Sequence, residues 1–379
     1  MTTKPIKVAL STSKTLQVAK TVSVAQAIET LSFLIAGQSN AVGYGGLVDS
    51  ELPSDNVFLF GNDYEYKMAS EPIDNKVNQI DTVSLDSNPG NSFALRMGKG
   101  LSTYRVLLIP CAMGGTSPIN WTPTVNRLDR STLYGSANYR RSLVSPLGLT
   151  ALLYYGHESE SNTQERTDNY INTWTALINE FRQDYGDIPI IYCQLAKHAN
   201  ETIMSRFNQI AEKQRLMESG QVGGLENHYM AVTFDLPLSD TIHLSVAGQK
   251  ALGDRIALII REKILKENIN GTGARLVSLT HPNEEKNKIE ILTNHDLNII
   301  SNNADNQFRV YDDGVEITIQ SVVRSTNTKA ILITTNTTPS GTVTVDYGNV
   351  LTSTGITYSN AVKDTDDLPL PQFGKLTVI

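Results

Sequence analysis

The chain has 379 residues, 40% hydrophobic and 19% charged, which suits a folded soluble protein long enough for two or three domains. Its formal net charge of −7 and pI near 5.5 argue against a nucleic-acid partner, because nucleic-acid binders carry basic patches. No apolar run approaches the roughly 20 residues of a membrane span, and the first 30 residues hold no continuous apolar region of the kind a secretory signal needs.

Residues 1–30 are rich in Thr, Ser, Val and Lys, with one short helical stretch at Val22 to Leu31. They read as an arm or extra strand ahead of the main domain. Leu31 to Ala36 is apolar and uncharged, the pattern of a buried strand, and it ends in the small polar turn Gly37-Gln38-Ser39-Asn40. Val57 to Phe60 reads as a second strand, Ser92 to Leu101 as a helix and Arg105 to Pro110 as a third strand. Leu149 to Tyr155 and Ile188 to Gln194 are the fourth and fifth. Between them Tyr170, Trp174, Leu177, Ile178 and Phe181 recur at helical spacing and form one apolar stripe. Met230 to Phe234 is a further strand, followed by a loop and a long helix over Val246 to Lys266.

Strands alternating with helices imply a mostly parallel sheet with helices on both faces, a three-layer α/β/α domain over residues 31–268. In a flavodoxin-like strand order, 2-1-3-4-5, the first and third of these strands are neighbours across the switch point. Asn268 to Ala274 breaks the last helix. Beyond it Val315, Ile317 and Ile319 alternate with polar residues, as do Val343, Val345 and Tyr347. This predicts a small all-β sandwich over residues 274–379, without candidate catalytic residues. The two cysteines, Cys111 and Cys193, sit near the ends of different strands and read as buried reduced thiols, with neither a disulfide framework nor zinc spacing.

Four stretches carry chemistry. A serine at the carboxyl end of a buried strand stands where an open α/β sheet places its reacting group; taken alone, Ser39 reads as a helix cap. Pro110 to Ser117 holds Gly114-Gly115-Thr116, and the strand order sets Gly115 across one crevice from Ser39, where a glycine lets a backbone N–H approach a ligand oxygen. Tyr154 to Glu160 includes His157 and Glu158, but position 161 is serine, so the helical His-Glu-x-x-His metal pattern is absent. Asp240-Thr241-Ile242-His243 puts a carboxylate three residues ahead of a histidine on a turn. From there it can fix the tautomer and leave the other ring nitrogen to take a proton from a serine.

In this order the four stretches resemble the SGNH hydrolases, and within them the sialate O-acetylesterase-like carbohydrate esterases, over residues 31–265. The blocks that carry the resemblance are Gly37-Gln38-Ser39-Asn40, Pro89-Gly90-Asn91-Ser92-Phe93-Ala94, Ala112 to Thr116 with Trp121, and Asp240 and His243 followed by Gly248. One block departs: the family has Gln-Gly-Glu where this chain has Gly156-His157-Glu158. The missing Gln leaves its oxyanion donor open, with His157 as the substitute and Glu158 as a brace for the Ser39 turn.

The resemblance implies an esterase that removes O-acetyl groups from a carbohydrate with Ser39 as nucleophile, His243 as base and Asp240 orienting it. The Ser39 and Gly115 amides hold the oxyanion, and neither metal nor organic cofactor is required. Gln38, Asn40, His157, Glu158 and Trp121 complete the candidate oxyanion and substrate-binding set, with Tyr44 and Trp121 as a sugar-stacking wall. An inert glycan-binding or virion structural protein is the alternative from another class, since fold does not fix function. An esterase on lipid or small acyl esters is a third, set back by the lack of a long apolar lid segment. The β-rich tail and N-terminal arm lean toward a phage tail or surface-acting enzyme, with a cytoplasmic one and an oligomer left open.

Overall fold

The computed structural model describes residues 29–45, 51–73, 80–81, 92–144, 148–198, 200–300, 307–349 and 360–379. Nearly all of the N-terminal arm, and Pro89 to Asn91, lie outside these residues. The unbroken apolar run becomes β1 (Thr30–Gly37), a central strand buried from Leu31 to Gly37. Its neighbours in a seven-stranded sheet are β4 (Arg105–Pro110) and β5 (Ala151–Tyr155), both parallel to it. Beyond β5 follow β6 (Ile190–Cys193) and β7 (His228–Ala231), also parallel. On the far side of β4 come β2 (Val57–Phe60) and the short antiparallel edge strand β3 (Tyr66–Met68).

The strand order corrects one expectation. Val57 to Phe60 does not lie beside β1; it pairs with the outer side of β4, and the full order is β3-β2-β4-β1-β5-β6-β7. The flavodoxin-like order belongs to β4-β1-β5-β6-β7, with β2 and β3 added at the edge. The switch point therefore falls between β1 and β5, and the segment after β5 borders Ser39 directly.

Alternate residues of the strands feed two separate cores, as the period of two requires. Phe33, Ile35 and Leu108 face α2 (Phe93–Gly100) and α6 (Val246–Ile259). Leu34, Ala36 and Ile109 face α3 (Leu133–Leu143), α4 (Gln164–Tyr185) and α5 (Glu201–Glu218). The expected stripe of α4, Tyr170 to Phe181, is buried in that second core. Each longer helix starts on a side-chain cap: Ser92 Oγ accepts from Ala94 N, Thr163 from Arg166 N, Asn200 from Ile203 N and Ser245 from Gly248 N. The expected helix to Lys266 ends sooner, since α6 stops at Ile259 and passes into a π-turn.

After residue 274 the chain forms two four-stranded antiparallel sheets. One contains β8 (Leu276–Thr280), β9 (Lys288–Thr293), β12 (Ile319–Arg324) and β13 (Ala330–Thr335); the other contains β10 (Phe308–Asp312), β11 (Val315–Ile317), β14 (Val343–Tyr347) and β15 (Phe373–Thr377). The alternation of Val315, Ile317 and Ile319 spans two strands, because the chain changes sheets at Thr318. Apolar residues of both sheets share one core with α5, and Phe234 meets Tyr347 edge-on at 5.9 Å. Arg275 reinforces the junction with a double hydrogen bond to Glu218, at 2.7 and 3.0 Å.

His228, the first residue of β7, is buried in the second core. Its Nε2 accepts from Trp174 Nε1 at 3.0 Å, and its ring stacks on Tyr192 at 4.0 Å. Burial, with Arg182 adding to it, pulls its pKa down to about 3. The unfolded chain then binds a proton that the fold refuses. This contribution is complete above pH ~6.5 and is lost as pH falls toward 3, by up to roughly 5 kcal/mol. His228→Gln keeps an acceptor for Trp174 and removes the titration. Denaturant titrations from pH 7 to pH 4 are expected to show the wild type losing stability faster than the variant; parallel curves contradict the assignment.

Candidate active site

The carboxyl ends of three adjacent strands bring the motif blocks together. Ile35 pairs with Pro110 and Gly37 with Tyr155, so the chain leaves β4, β1 and β5 at nearly one level. Two glycines allow the β1 and β5 exits to close on each other. A Cβ on Gly37, at φ +125°, would lie 2.1 Å from the Tyr155 carbonyl oxygen, and one on Gly156 would lie 2.7 Å from the Gln38 nitrogen. The Gln38 N–H donates to the Tyr155 carbonyl at 2.8 Å across this gap.

Ser39 opens α1 (Ser39–Val42), a single turn. Its Oγ lies 2.9 Å from His243 Nε2, and His243 Nδ1 lies 2.7 Å from Asp240 Oδ2. Asp240 Oδ1 accepts from the N–H groups of Ile242 and His243, each at 2.8 Å, which folds residues 240–243 into a turn that points the ring at Ser39. Partial burial pushes the Asp240 carboxyl up, but the hydrogen bonds from the His243 ring and the two amides outweigh it and hold the group below the usual carboxylate range. The Asp235–Arg255 pair, buried and bidentate at 2.7 and 2.6 Å, ties the segment entering this loop to α6.

Asn40 is fully buried and acts as a brace rather than a substrate contact. Its Nδ2 donates to Glu158 Oε1 at 2.7 Å and to the Ile242 carbonyl at 3.3 Å, and its Oδ1 accepts from Leu244 N at 2.9 Å. One carboxamide thus holds both neighbours of His243 while sitting next to Ser39. Glu158, also buried, accepts from the His157 N–H through Oε2 at 2.9 Å. Burial raises its pKa above the ordinary glutamate value, against hydrogen bonds from Asn40 and from backbone amides.

Two further expected roles are corrected. The His157 imidazole is wholly buried in an aromatic cage, with its centroid 4.6 Å from Trp174, 5.1 Å from Tyr154 and 5.2 Å from Tyr170. Neither ring nitrogen has a hydrogen-bond partner among the described residues. Its side chain follows the α4 face of the sheet and presents no donor to the crevice. Burial, with His228 adding to it, holds its pKa well below the usual histidine range. Trp121 is fully buried as well, so it is no sugar-stacking wall; its Nε1 reaches toward Thr116 Oγ1 at 3.4 Å, behind the Gly114-Gly115-Thr116 turn.

Tyr44 does reach the site, half-buried, with its ring against that of His243 at 5.2 Å and 28°. Gly115 is exposed, two residues beyond Met113, whose N–H donates to the Gly37 carbonyl at 3.0 Å. The Gln38 side chain is buried, and its Oε1 has no partner among the described residues. Gln249 is the residue that sequence reading passes over, although it directly follows Gly248. It is buried, donates through Nε2 to the Asn40 carbonyl at 3.0 Å and accepts from Phe93 N at 3.2 Å.

The caged position of His157 has a direct consequence. His157→Leu removes two unsatisfied buried nitrogens without touching the crevice. Its kcat on an acetyl ester is expected within threefold of wild type, and its melting temperature at pH 7 no lower. A kcat loss of about 10²-fold at unchanged KM, the signature of a lost oxyanion donor, contradicts this placement.

Comparisons with known proteins agree with the fold. A carbohydrate acetylesterase from Xanthomonas citri, XAC1771, superposes with a TM-score of 0.65 at 16% identity, over 90% of this chain and 80% of that one. A protein from Arabidopsis thaliana superposes at 0.51 with 24% identity, over 62% of this chain and 99% of that one. At these identities the likeness is one of fold. Comparison with curated protein sequences gives no match. The model of the family described as carbohydrate esterase, sialic acid-specific acetylesterase, matches residues 29–262, well over half the chain. The chain belongs to this carbohydrate esterase family and is a carboxylic ester hydrolase.

Proposed function

We propose that the protein is a serine esterase that removes O-acetyl groups from a carbohydrate, within a glycan or polysaccharide, through an acyl-enzyme on Ser39. The observation that carries this reading is the continuous run from Ser39 Oγ to His243 Nε2 at 2.9 Å and from His243 Nδ1 to Asp240 Oδ2 at 2.7 Å. The Asp240 carboxylate accepts a hydrogen bond from Nδ1–H, which fixes the tautomer that leaves the Nε2 lone pair toward the serine hydroxyl. Ser39 Oγ attacks the acetyl carbonyl as its proton passes to Nε2. The same proton then goes to the sugar oxygen as the C–O ester bond breaks. Water, deprotonated by His243, attacks the acetyl-serine, and acetate leaves as Nε2 returns that proton to Ser39 Oγ.

The negative oxygen of each tetrahedral intermediate needs donors. We assign that role to the N–H groups of Ser39, at the start of α1, and of the exposed Gly115; in support, neither donates to a backbone acceptor among the described residues. One such donor is worth about 10²–10³ in rate. With His157 caged, the hole is built from backbone amides. The acetylated sugar as substrate rests on family membership and on a polar site, and an inert scaffold has no need of an aligned Ser-His-Asp run.

Ser39→Ala and Asp240→Asn are expected to retain the wild-type melting temperature. Acetate release from a panel of acetylated polysaccharides should fall by at least about 10³-fold in each. Ser39→Ala activity within tenfold of wild type, with contaminants excluded, contradicts the assignment.

A further inference from the structure

Gln249 lies in the first turn of α6, six residues beyond His243, and is almost fully buried. Its two side-chain bonds go to backbone groups that helix geometry leaves without partners. The first is the Asn40 carbonyl. Because α1 is one turn long, the amide that would reach Asn40 in a longer helix is that of Tyr44, and it donates instead to the Ser39 carbonyl at 3.1 Å. The second is the Phe93 N–H at the start of α2, where the Ser92 cap takes Ala94 N instead. Gln249 serves both, as donor to one and acceptor from the other, and so locks α1, α2 and α6 together behind the nucleophile.

The clamp on Asn40 is two-sided. Its side chain grips Ile242 and Leu244, the residues that flank His243, while its carbonyl is held by Gln249, which rides on the helix that follows His243. Together these bonds set the roll of α1, and with it the direction of the Ser39 hydroxyl and the Ser39 amide. We infer that Gln249 is a positioning residue for catalysis, which holds Ser39 in reach of His243 and its N–H on the oxyanion without touching substrate. The inference rests on the reading of Ser39 as nucleophile given above. A misplacement of about 1 Å at such a site costs roughly 10²-fold in rate.

The test uses the full chain in three variants, Gln249→Leu, Gln249→Glu and Ser39→Ala. The readouts are kcat and KM on p-nitrophenyl acetate, and the second-order rate at which a fluorophosphonate labels Ser39. All are measured well below each variant's melting temperature. For Gln249→Leu, kcat and the labelling rate are expected to fall together by 10- to 100-fold, with KM within twofold. Gln249→Glu keeps an acceptor for Phe93 N, and its carboxylate faces the Asn40 carbonyl at high pH. Its activity relative to wild type should therefore be low at pH 8 and rise toward pH 5, as the carboxyl takes up a proton and can donate. Should Gln249→Leu fail to fold, Gln249→Glu decides alone. Lowered melting temperature with labelling and kcat within threefold of wild type, and a flat activity ratio across pH, overturns the inference. Turnover that survives in Ser39→Ala overturns instead the reading beneath it.

Discussion

The site depends on one carboxamide. Asn40 reaches from the residue after Ser39 to Glu158 behind β5 and to the backbone on both sides of His243. The serine and the histidine are 204 positions apart in sequence. Without that side chain, the bond from Gln249 to the Asn40 carbonyl and the general packing of β1 against the loop before α6 would be left to fix their separation. Neutral hydrogen bonds contribute about 1 kcal/mol each, but leaving one buried partner unpaired costs more. Here three bonds meet on one fully buried residue, so the arrangement tolerates little slack.

The sheet explains why these groups meet. The parallel order β4-β1-β5 delivers three chain exits to one edge, and the two glycines at the β1 and β5 exits let the backbones come closer than any side chain would allow. The edge strands β2 and β3 and the antiparallel sheets after residue 274 supply none of the aligned triad. The latter extend the core of the α4 and α5 face, through Tyr347 against Phe234 and Arg275 against Glu218.

The meeting of Ser39, His243 and Asp240 was legible in the sequence because each sits at a predicted strand exit or helix entry, where position alone implies a place at a crevice. What the sequence concealed was side-chain direction. His157 and Glu158 are adjacent and both polar, and nothing in their spacing says that one ring turns into an aromatic cage while the other side chain turns toward Asn40. Trp121 misled for the same reason, since an aromatic next to a glycine turn packs behind it as readily as over it. Val57 to Phe60 reads as an ordinary strand, and its edge place depends on a hairpin with β3 too short and too exposed to show a pattern. Gln249 left no signal, because a lone glutamine in the first turn of a helix is usually solvated.

On the proposed mechanism, Ser39 carries the acetyl group between the two half-reactions. Rapid acid quench of the enzyme during turnover of p-nitrophenyl acetate, followed by proteolysis and mass spectrometry, tests it directly. An initial burst of p-nitrophenolate and an acetyl adduct on the peptide that contains Ser39 are expected, both absent from Ser39→Ala. Steady turnover with no adduct on that peptide, or with the adduct on another residue, would contradict it.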